Sequence, residues 1–429
     1  MPVHALRPLP PGAARSAICL DITRLVSRAG LGPPTGIDRV EIAYLRHFLG
    51  SEMPCWGIAR VGGGQALLDR AGLSAVAACL ADPALLGPED WRAFVSRRLP
   101  PDRRRAEADL RRRALALVTG RSLDRALARH LPRGTVYVNV GHSNLGAPLL
   151  AALRRVPGLA IAVMIHDTIP LDHPAFQRPG MAERFAAMLT RVGRTADLAI
   201  CNSEETRARL VHHLGRLGAR LPPVIVAHLG LDLAPQAAST PPAALRPDHP
   251  AFLCLGTIEP RKNHALLLDV WERLAQTMPH AALPHLHVAG RRGWCNEAVF
   301  ARIAAVQAAG LPVFEHPALP DAELAGLLQG CRALLMPSRA EGFGLPAIEA
   351  AAAGVPLVSA DLPVWREVLG DWPIRLDPDD TEGWAATIRR LAEAPPAPRR
   401  PRPVPGWEAH FARVLPRLLA PQPEAAACG

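Results

Sequence analysis

The hydrophobic pattern of the chain alternates between short apolar runs and longer stretches with helical spacing. Short apolar runs bounded by turn residues predict buried strands, at 18–22, 136–140, 160–165, 198–201, 224–227, 251–255, 286–289, 332–336, 355–358 and 374–376. Apolar residues at every third or fourth position predict helices, at 38–48, 265–278, 297–309, from 346 onward, and at 407–418. Strands that alternate with helices form parallel sheets covered by helices. The sequence therefore predicts an α/β protein with two doubly wound, Rossmann-like domains and a ligand cleft between them.

Proline-rich segments divide the chain into domains. Residues 236–250 are rich in Ala, Pro, Ser and Thr, which is typical of a linker. The expected N-terminal domain is 1–235, with a basic, mostly helical insertion at about 64–133, and the expected C-terminal domain is 251–393. A second proline-rich segment opens 394–429, and the amphipathic helix that follows it is predicted to pack back on the N-terminal domain.

Composition narrows the class of protein. Of the 429 residues, 49 % are hydrophobic, which is enough for two cores, and the formal charge of +10 is carried almost entirely by arginine. The eight cysteines are scattered without C-x-x-C pairs or metal-ligand spacing, which favours a reducing compartment. No apolar run resembles a signal peptide or approaches the ~20 residues of a membrane span. We expect a cytoplasmic protein, with the inner face of the membrane as an open location.

The basic segment 97–133 leaves two interpretations open. Its arginines are interleaved with leucines, so a helix here could lie on the surface of an anionic lipid membrane. It could equally be a solvated helix. Nucleic acid is disfavoured as a partner, because no aromatic interleaving or known binding module is present.

The strongest chemical signal is the run Arg-Ala-Glu-Gly-Phe-Gly-Leu-Pro-Ala-Ile-Glu at 339–349. Gly342 and Gly344 allow the backbone to approach a ligand closely, and the helix that follows offers free amides at its N-terminus. Either flanking carboxylate, Glu341 or Glu349, would alone favour a structural role such as complementing the helix dipole, worth about 0.3–1 kcal/mol. Together, with the glycines between them, they predict a site for phosphate or sugar hydroxyls.

A basic pair, Arg261 and Lys262, follows the first strand of the C-terminal domain after a turn at Gly256. Lys262 is the only lysine in the chain, although Lys and Arg together number 49. An exposed basic turn would be a common alternative, but an ammonium group retained at this position alone indicates a chemical requirement. Arginine can bind a phosphate group through two hydrogen bonds and lysine adds a compact charge, so the pair could stabilise negative charge on a ligand.

The N-terminal domain offers three further candidates at the ends of predicted strands. Gly36 lies in a Thr-Gly-Ile-Asp-Arg loop after the first strand; its last residue, Arg39, could reach the cleft or only cap a helix. His166 and Asp167 follow a buried strand, where a histidine contacts either a ligand or a neighbouring carboxylate. Asn202 follows the next strand, where Asn also commonly caps helices.

These motifs together resemble family 4 of the retaining glycosyltransferases, which have the GT-B fold. The stretch 341–349 resembles the family's E-x7-E signature, and Leu-Gly-Thr-Ile-Glu-Pro-Arg-Lys-Asn-His at 255–264 resembles its donor-phosphate loop. In all, 250–392 resembles the donor domain, including Gly-Arg-Arg-Gly-Trp at 290–294. The N-terminal resemblance is thinner, and Thr257 stands where many members carry a basic residue.

The resemblance implies a retaining transfer, probably of mannose from GDP-mannose, to a saccharide or lipid-linked acceptor in surface polysaccharide synthesis. It implies catalytic roles for Glu341, Lys262, Arg261 and His166, and acceptor-side roles for Asp167 and Asn202. Glu349 would accept hydrogen bonds from the ribose. Donor contacts are implied at Gly36, Gly256, Arg261, Lys262, Gly342, Phe343, Gly344, Leu345 and Glu349. No cofactor beyond the nucleotide-sugar co-substrate is implied and no metal is expected; the D-x-D at 377–379 is explained by loop and cap chemistry.

Two functions of other classes stay open from the sequence. One is a GT-B-fold nucleotide-sugar 2-epimerase, and the other is a non-catalytic nucleotide-sugar-binding partner in a polysaccharide assembly complex. The pair of glutamates at 341 and 349 argues against the first. The full set of candidate residues argues against the second.

Overall fold

The fold consists of two sheets, each covered by helices, in a computed structural model that describes residues 15–94, 97–118, 120–231, 249–396 and 398–421. The first sheet lies within 17–226 and the second within 251–376. This arrangement confirms the predicted α/β class with two Rossmann-like sheets. The predicted linker at 236–250 falls mostly outside the described residues.

The first sheet has the strand order β4-β3-β2-β1-β5-β6-β7-β8. Its central strands run parallel and are buried along their whole length, as the continuous apolar runs of the sequence predict. The strands are β1 Ala17–Asp21, β2 Cys55–Val61, β3 Gly64–Leu68, β4 Ala116–Val118, β5 Thr135–Asn139, β6 Ala160–Ile165, β7 Leu198–Cys201 and β8 Val224–Val226.

Nine helices of the described residues surround this sheet. They are α1 Thr23–Ser27, α2 Gly36–Gly50, α3 Arg70–Ala81, α4 Pro101–Arg113, α5 Leu123–His130, α6 Ala147–Arg155, α7 Ile169–Asp172, α8 Met181–Thr195 and α9 Glu204–Arg216. The helix α2 begins at a capping box in which Thr35 and Asp38 satisfy each other's backbone N–H groups.

The second sheet is parallel throughout, in the order β11-β10-β9-β12-β13-β14. Its strands are β9 Ala251–Leu255, β10 His285–Ala289, β11 Val313–His316, β12 Ala333–Met336, β13 Leu357–Ala360 and β14 Ile374–Leu376. Its helices are α10 His264–Thr277, α11 Glu297–Ala308, α12 Asp321–Gly330, α13 Leu345–Ala353, α14 Pro363–Leu369 and α15 Thr381–Glu393. Because β9 and β12 are neighbours, the loops that follow them meet at one edge of the sheet.

Among its described residues, the region 64–133 contains three α-helices, and also strands that the sequence did not indicate. Two of its segments are strands, β3 and β4, which pair antiparallel and extend the first sheet beyond β2. The helices α3, α4 and α5 lie between and after these strands. The segment is therefore the edge of the domain's own sheet, and its wealth of Ala, Leu and Arg, which are strong helix formers, concealed the strands.

Many of the arginines in this basic segment are paired with carboxylates. Along α4, arginine side chains form ion pairs with Glu89, Asp90, Asp102, Glu107 and Asp109. Much of the local positive charge is thus compensated inside the protein. Among the described helices, none combines the length and apolar character needed to cross a membrane, and contact with a membrane surface stays a prediction.

The last described helix, α16 Trp407–Leu418, lies against the first domain. Phe411, Val414 and Leu418 are buried in the same hydrophobic cluster as residues of β1 and α2. The hydroxyl of Tyr44 and Nε2 of His410 form a buried hydrogen bond of 2.8 Å at this contact. The chain therefore crosses back to the N-terminal domain after completing the second sheet.

Candidate functional site

The candidate site is centred on the sole lysine and a buried glutamate. Nζ of Lys262 donates a hydrogen bond to Oε1 of Glu341 at 2.5 Å, and Nη1 of Arg261 donates to Oε2 of the same carboxylate at 2.9 Å. These residues lie 79 and 80 positions apart, on the loops after β9 and β12. The predicted convergence of the two loops is therefore present.

The cations at this centre are bound to carboxylates rather than free. Besides Glu341, Arg261 contacts Glu259 at 2.7 Å, so the four side chains are formally neutral together. Burial alone would raise the pKa of Glu341, but the charges of Arg261 and Lys262 outweigh burial and lower it to about 2. Lys262 still has two further N–H donors, since an ammonium group carries three. A diphosphate would use those donors and the nearby backbone amides.

Gly256 is required by the packing of the lysine. Its φ of +132° lies in the region that favours glycine, and a Cβ here would come within 3.2 Å of Cε and 3.3 Å of Nζ of Lys262. A side chain at this position would push the ammonium group away from Glu341. The predicted donor-loop glycine thus shapes the site without a polar group of its own.

The helix α13 presents its N-terminus at the cleft. Gly344 occupies the N-cap with φ +78° and provides no side-chain cap, so the first amides of the helix are not satisfied by a capping side chain. Pro346 lies in the first turn, as predicted, whereas Glu349 lies just past that turn. Pro346 has no N–H and the N–H of Ala347 bonds to the Gly344 carbonyl, so an anionic ligand would be favoured here by the N–H of Leu345 and the positive end of the helix dipole.

The two domains contact each other around these loops. Phe343 and Leu345 are buried in a hydrophobic cluster that consists mostly of residues of the first domain. The backbone of Gly342 lies against His166: a Cβ at Gly342 would be 2.3 Å from the His166 carbonyl oxygen. The hydroxyl of Ser203 donates to the Gly342 carbonyl at 3.1 Å. The predicted N-terminal and C-terminal loops therefore meet.

The acceptor-side candidates lie at this same contact. Nε2 of His166 donates to the carbonyl of Val140 at 2.6 Å, and burial lowers the pKa of His166, which favours the neutral imidazole. Asn202 donates to the His166 carbonyl at 2.9 Å, so its amide positions that loop. Burial raises the pKa of Asp167, although the positive charge of Arg261 opposes this shift.

Arg39 reaches across the cleft from α2. Its guanidinium donates a hydrogen bond to Oε1 of Glu349, a residue 310 positions away. The sequence left open whether Arg39 only caps its helix, and the structure places it on the second glutamate of the predicted signature. Gly36, one turn earlier on α2, lies near Leu345: a Cβ at Gly36 would be 3.7 Å from Cδ1 of Leu345.

Sequence reasoning missed several polar groups at the same cleft. Glu367 of α14 accepts hydrogen bonds from the backbone N–H of Glu204 at 2.7 Å and from Nε2 of His228 at 2.7 Å, and so caps α9 of the other domain. His142, after β5, has φ +56° and lies next to His166, with ring centroids 5.0 Å apart. The position of His142 at a strand's carboxyl end is the signal that could have identified it.

A donor-domain loop closes the far side of the cleft. Nε1 of Trp294 donates to the carbonyl of Phe176 at 3.0 Å, and a Cβ at Gly32 would lie 2.6 Å from Nη2 of Arg291. The loop at 290–296 therefore touches two loops of the first domain.

The acidic D-x-D segment at 377–379 and the other potential metal ligands can be compared with the needs of a metal ion. Across the described part of the chain, no group of three or more His, Cys, Asp or Glu side chains is arranged to hold a metal ion. In the D-x-D segment, Asp377 accepts from the backbone of Asp379, Asp379 pairs with Arg339, and Asp380 caps α15. Asp377 and Asp380 thus have the loop and cap roles that the sequence predicts, whereas Asp379 is held by an ion pair.

Comparison with known proteins agrees with this geometry. Residues 237–403 match the family described as glycosyl transferases group 1. The chain is 30 % identical over 230 residues to the serotype-specific mannosyltransferase WbdA of Escherichia coli, covering 50 % of this chain and 27 % of that protein. It is 34 % identical over 136 residues to the O-antigen chain mannosyltransferase B of Escherichia coli, covering 32 % of this chain and 35 % of that protein.

The chain spans about a quarter to a third of the length of these two relatives. Among solved structures, Anabaena HepE in complex with UDP and glucose superposes with a TM-score of 0.57 at 15 % identity, over 88 % of this chain and 90 % of that one. That likeness shows the fold, which is GT-B.

Proposed function

We propose that this protein, whose residues 237–403 match the family described as glycosyl transferases group 1, is a retaining glycosyltransferase. Its donor is a nucleotide sugar, for which we propose GDP-mannose, because two of its relatives are named as mannosyltransferases. Its acceptor is a saccharide or a lipid-linked saccharide in the synthesis of a polysaccharide. The observation that carries the proposal is the convergence of Lys262 and Arg261 on Glu341 beside the uncapped N-terminus of α13.

The donor's diphosphate lies between the cationic pair and the helix amides. The remaining N–H donors of Lys262 and Arg261, and the amides of Phe343 to Leu345, stabilise the negative charge that grows on the diphosphate as the glycosidic bond breaks. Glu349 accepts hydrogen bonds from the ribose hydroxyls. These groups act on the leaving group, so they lower the barrier to forming an oxocarbenium-like sugar.

The sugar to be transferred lies between Glu341 and the His166–Asp167 loop. Glu341 is held as a carboxylate by two cations, so it accepts hydrogen bonds from sugar hydroxyls. In a front-face displacement, the leaving phosphate oxygen receives the acceptor's proton, the acceptor oxygen bonds to the anomeric carbon, and the bond to the diphosphate breaks. The domain contacts at Gly342 and Trp294 exclude water, which limits hydrolysis of the donor.

The experiment that tests the proposal is turnover with product analysis. The protein is incubated with GDP-mannose, UDP-glucose or a dTDP-sugar and a mannose-terminated oligosaccharide, and released nucleotide and product are measured. We expect nucleotide release that depends on the acceptor, and an α-linked product by NMR. Conversion of the nucleotide sugar without an acceptor would indicate an epimerase instead, and binding without turnover would indicate a non-catalytic partner.

A further inference from the structure

Two helices of different domains point their first turns at one another across the cleft. Gly36 and Arg39 lie three positions apart on α2, and Leu345 and Glu349 lie four positions apart on α13. Residues at these spacings share a helix face. Gly36 lies near Leu345, and Arg39 forms an ion pair with Glu349. Both contacts therefore join the same face of α2 to the same face of α13.

The ion pair engages one oxygen of the carboxylate. Arg39 bonds to Oε1 of Glu349, which leaves Oε2 for a ligand, since a carboxylate offers about four acceptor positions. The Glu349 side chain is 18 % exposed and that of Arg39 is 42 % exposed. A carboxylate in so enclosed a position needs a cationic partner, and α13 itself supplies no basic residue in its last turn. Arg39 of the other domain supplies it.

We propose that Arg39 is a positioning residue that holds Glu349 in the orientation that accepts the ribose hydroxyls of the donor. The inference rests on the proposed function, because it takes a nucleoside diphosphate as the ligand of α13. It goes further in assigning part of nucleotide recognition to the N-terminal domain. Tight nucleotide binding then requires both domains to be in contact, and by linkage the nucleotide stabilises that contact.

The test first measures the Kd of the unaltered protein for GDP and for UDP by calorimetry. The nucleotide that binds more tightly is then titrated into each variant. The variants are Arg39→Ala, Arg39→Lys and the control Arg155→Ala, which removes an exposed ion pair with Asp124 in the same domain. We expect Arg39→Ala to raise Kd about tenfold, the effect of one half-exposed charge-assisted hydrogen bond. The Kd of Arg39→Lys should lie between those of the unaltered protein and Arg39→Ala, and the Kd of the control should equal that of the unaltered protein.

A second nucleotide separates a positioning role from a merely structural one. For the 2′,3′-dideoxy form of the same nucleotide, Arg39→Ala and the unaltered protein should have the same Kd, because this nucleotide lacks the hydroxyls that Glu349 recognises. In a Glu349→Ala background the Arg39→Ala change should likewise add nothing. Thermal unfolding of each variant verifies that the domains stay folded.

Each other outcome overturns the inference. If Arg39→Ala weakened binding of the dideoxy nucleotide as much as binding of the ordinary nucleotide, Arg39 would act independently of the ribose hydroxyls. Tighter binding by Arg39→Ala would show that the arginine competes with the nucleotide for Glu349. Absence of any nucleotide binding by the unaltered protein would overturn the proposed function, and the inference with it, whereas equal binding by Arg39→Ala would overturn the inference alone.

Discussion

The carbonyl oxygen of His166 occupies the space into which a side chain on Gly342 would project. A Cβ on Gly342 would lie 2.3 Å from that oxygen and 2.9 Å from Cβ of Asp167. The atoms that would be struck first belong to the backbone, which cannot rotate away as a side chain can. The glycine therefore sets how closely the two domains approach.

Gly342→Ala is expected to separate the domains and to lower kcat by at least about tenfold, because a displacement of about 1 Å at a reacting centre can cost 100-fold in rate. Small-angle scattering should show a larger radius of gyration. The matched control is Gly215→Ala, in α9, where a Cβ meets nothing within 4 Å. That change should leave kcat unaltered and stabilise the helix by about 0.5–1 kcal/mol. Normal kcat in Gly342→Ala would contradict this account.

Lys262→Met is expected to lower kcat by about 100-fold or more, because it removes a cation that stabilises charge on the leaving group. It should also destabilise the fold by about 1–3 kcal/mol, since the buried carboxylate of Glu341 loses one of its two cationic partners.

The double variant Lys262→Met with Glu341→Gln separates these effects. Stability, measured by chemical denaturation, should recover in part because the buried negative charge is gone, while kcat should stay low. Recovery of kcat together with stability would mean that Lys262 acts only on folding.

The buried imidazole of His264 predicts a dependence of stability on pH. Burial, and to a lesser extent the charge of Lys262, lowers the pKa of His264 to about 3, whereas an unfolded histidine titrates near 6.5. Between these values the unfolded chain binds a proton that the folded protein does not. The stability contributed by the neutral imidazole is therefore fully present above pH 6.5 and is lost as the pH falls.

His264→Phe should make the free energy of unfolding less dependent on pH, because the substituted side chain does not titrate. From pH 6 to pH 5 the unaltered protein should lose about 1 kcal/mol of its free energy of unfolding relative to the variant. Denaturation at both pH values measures the difference. His212→Phe, at an exposed position on α9, serves as the control and should track the unaltered protein. Parallel pH profiles for His264→Phe and the unaltered protein would contradict the prediction.

The sequence predicted those parts of the fold that hydrophobic patterning alone determines. The continuous apolar runs of β6 and β9 predicted central parallel strands. Ligand-binding loops follow the carboxyl ends of such strands, so the sequence also predicted that Lys262 and Glu341 lie close together. The strands β3 and β4 were missed because helix-forming residues surround them. The contact of Arg39 with Glu349 depends on how two domain surfaces dock, and hydrophobic periodicity within either domain contains no information on docking.

Turnover is expected to be insensitive to EDTA. In the proposed mechanism, the positive charge that a diphosphate leaving group needs comes from Arg261, Lys262 and the amide end of α13. Initial rates of nucleotide release should be equal with and without the chelator. Loss of turnover in EDTA that added Mg²⁺ or Mn²⁺ restores would show that these side chains do not suffice.

The central claim is that Lys262, Arg261, Glu341 and α13 together bind one nucleotide-linked sugar. The most direct measurement is calorimetric titration of GDP-mannose into the unaltered protein, Lys262→Met and the control Arg155→Ala. The account predicts binding by the first and third with equal Kd, and a Kd at least about tenfold higher for Lys262→Met, since hydrogen bonds to charged groups are worth about 1.5–3 kcal/mol. Equal Kd in all three proteins would contradict it.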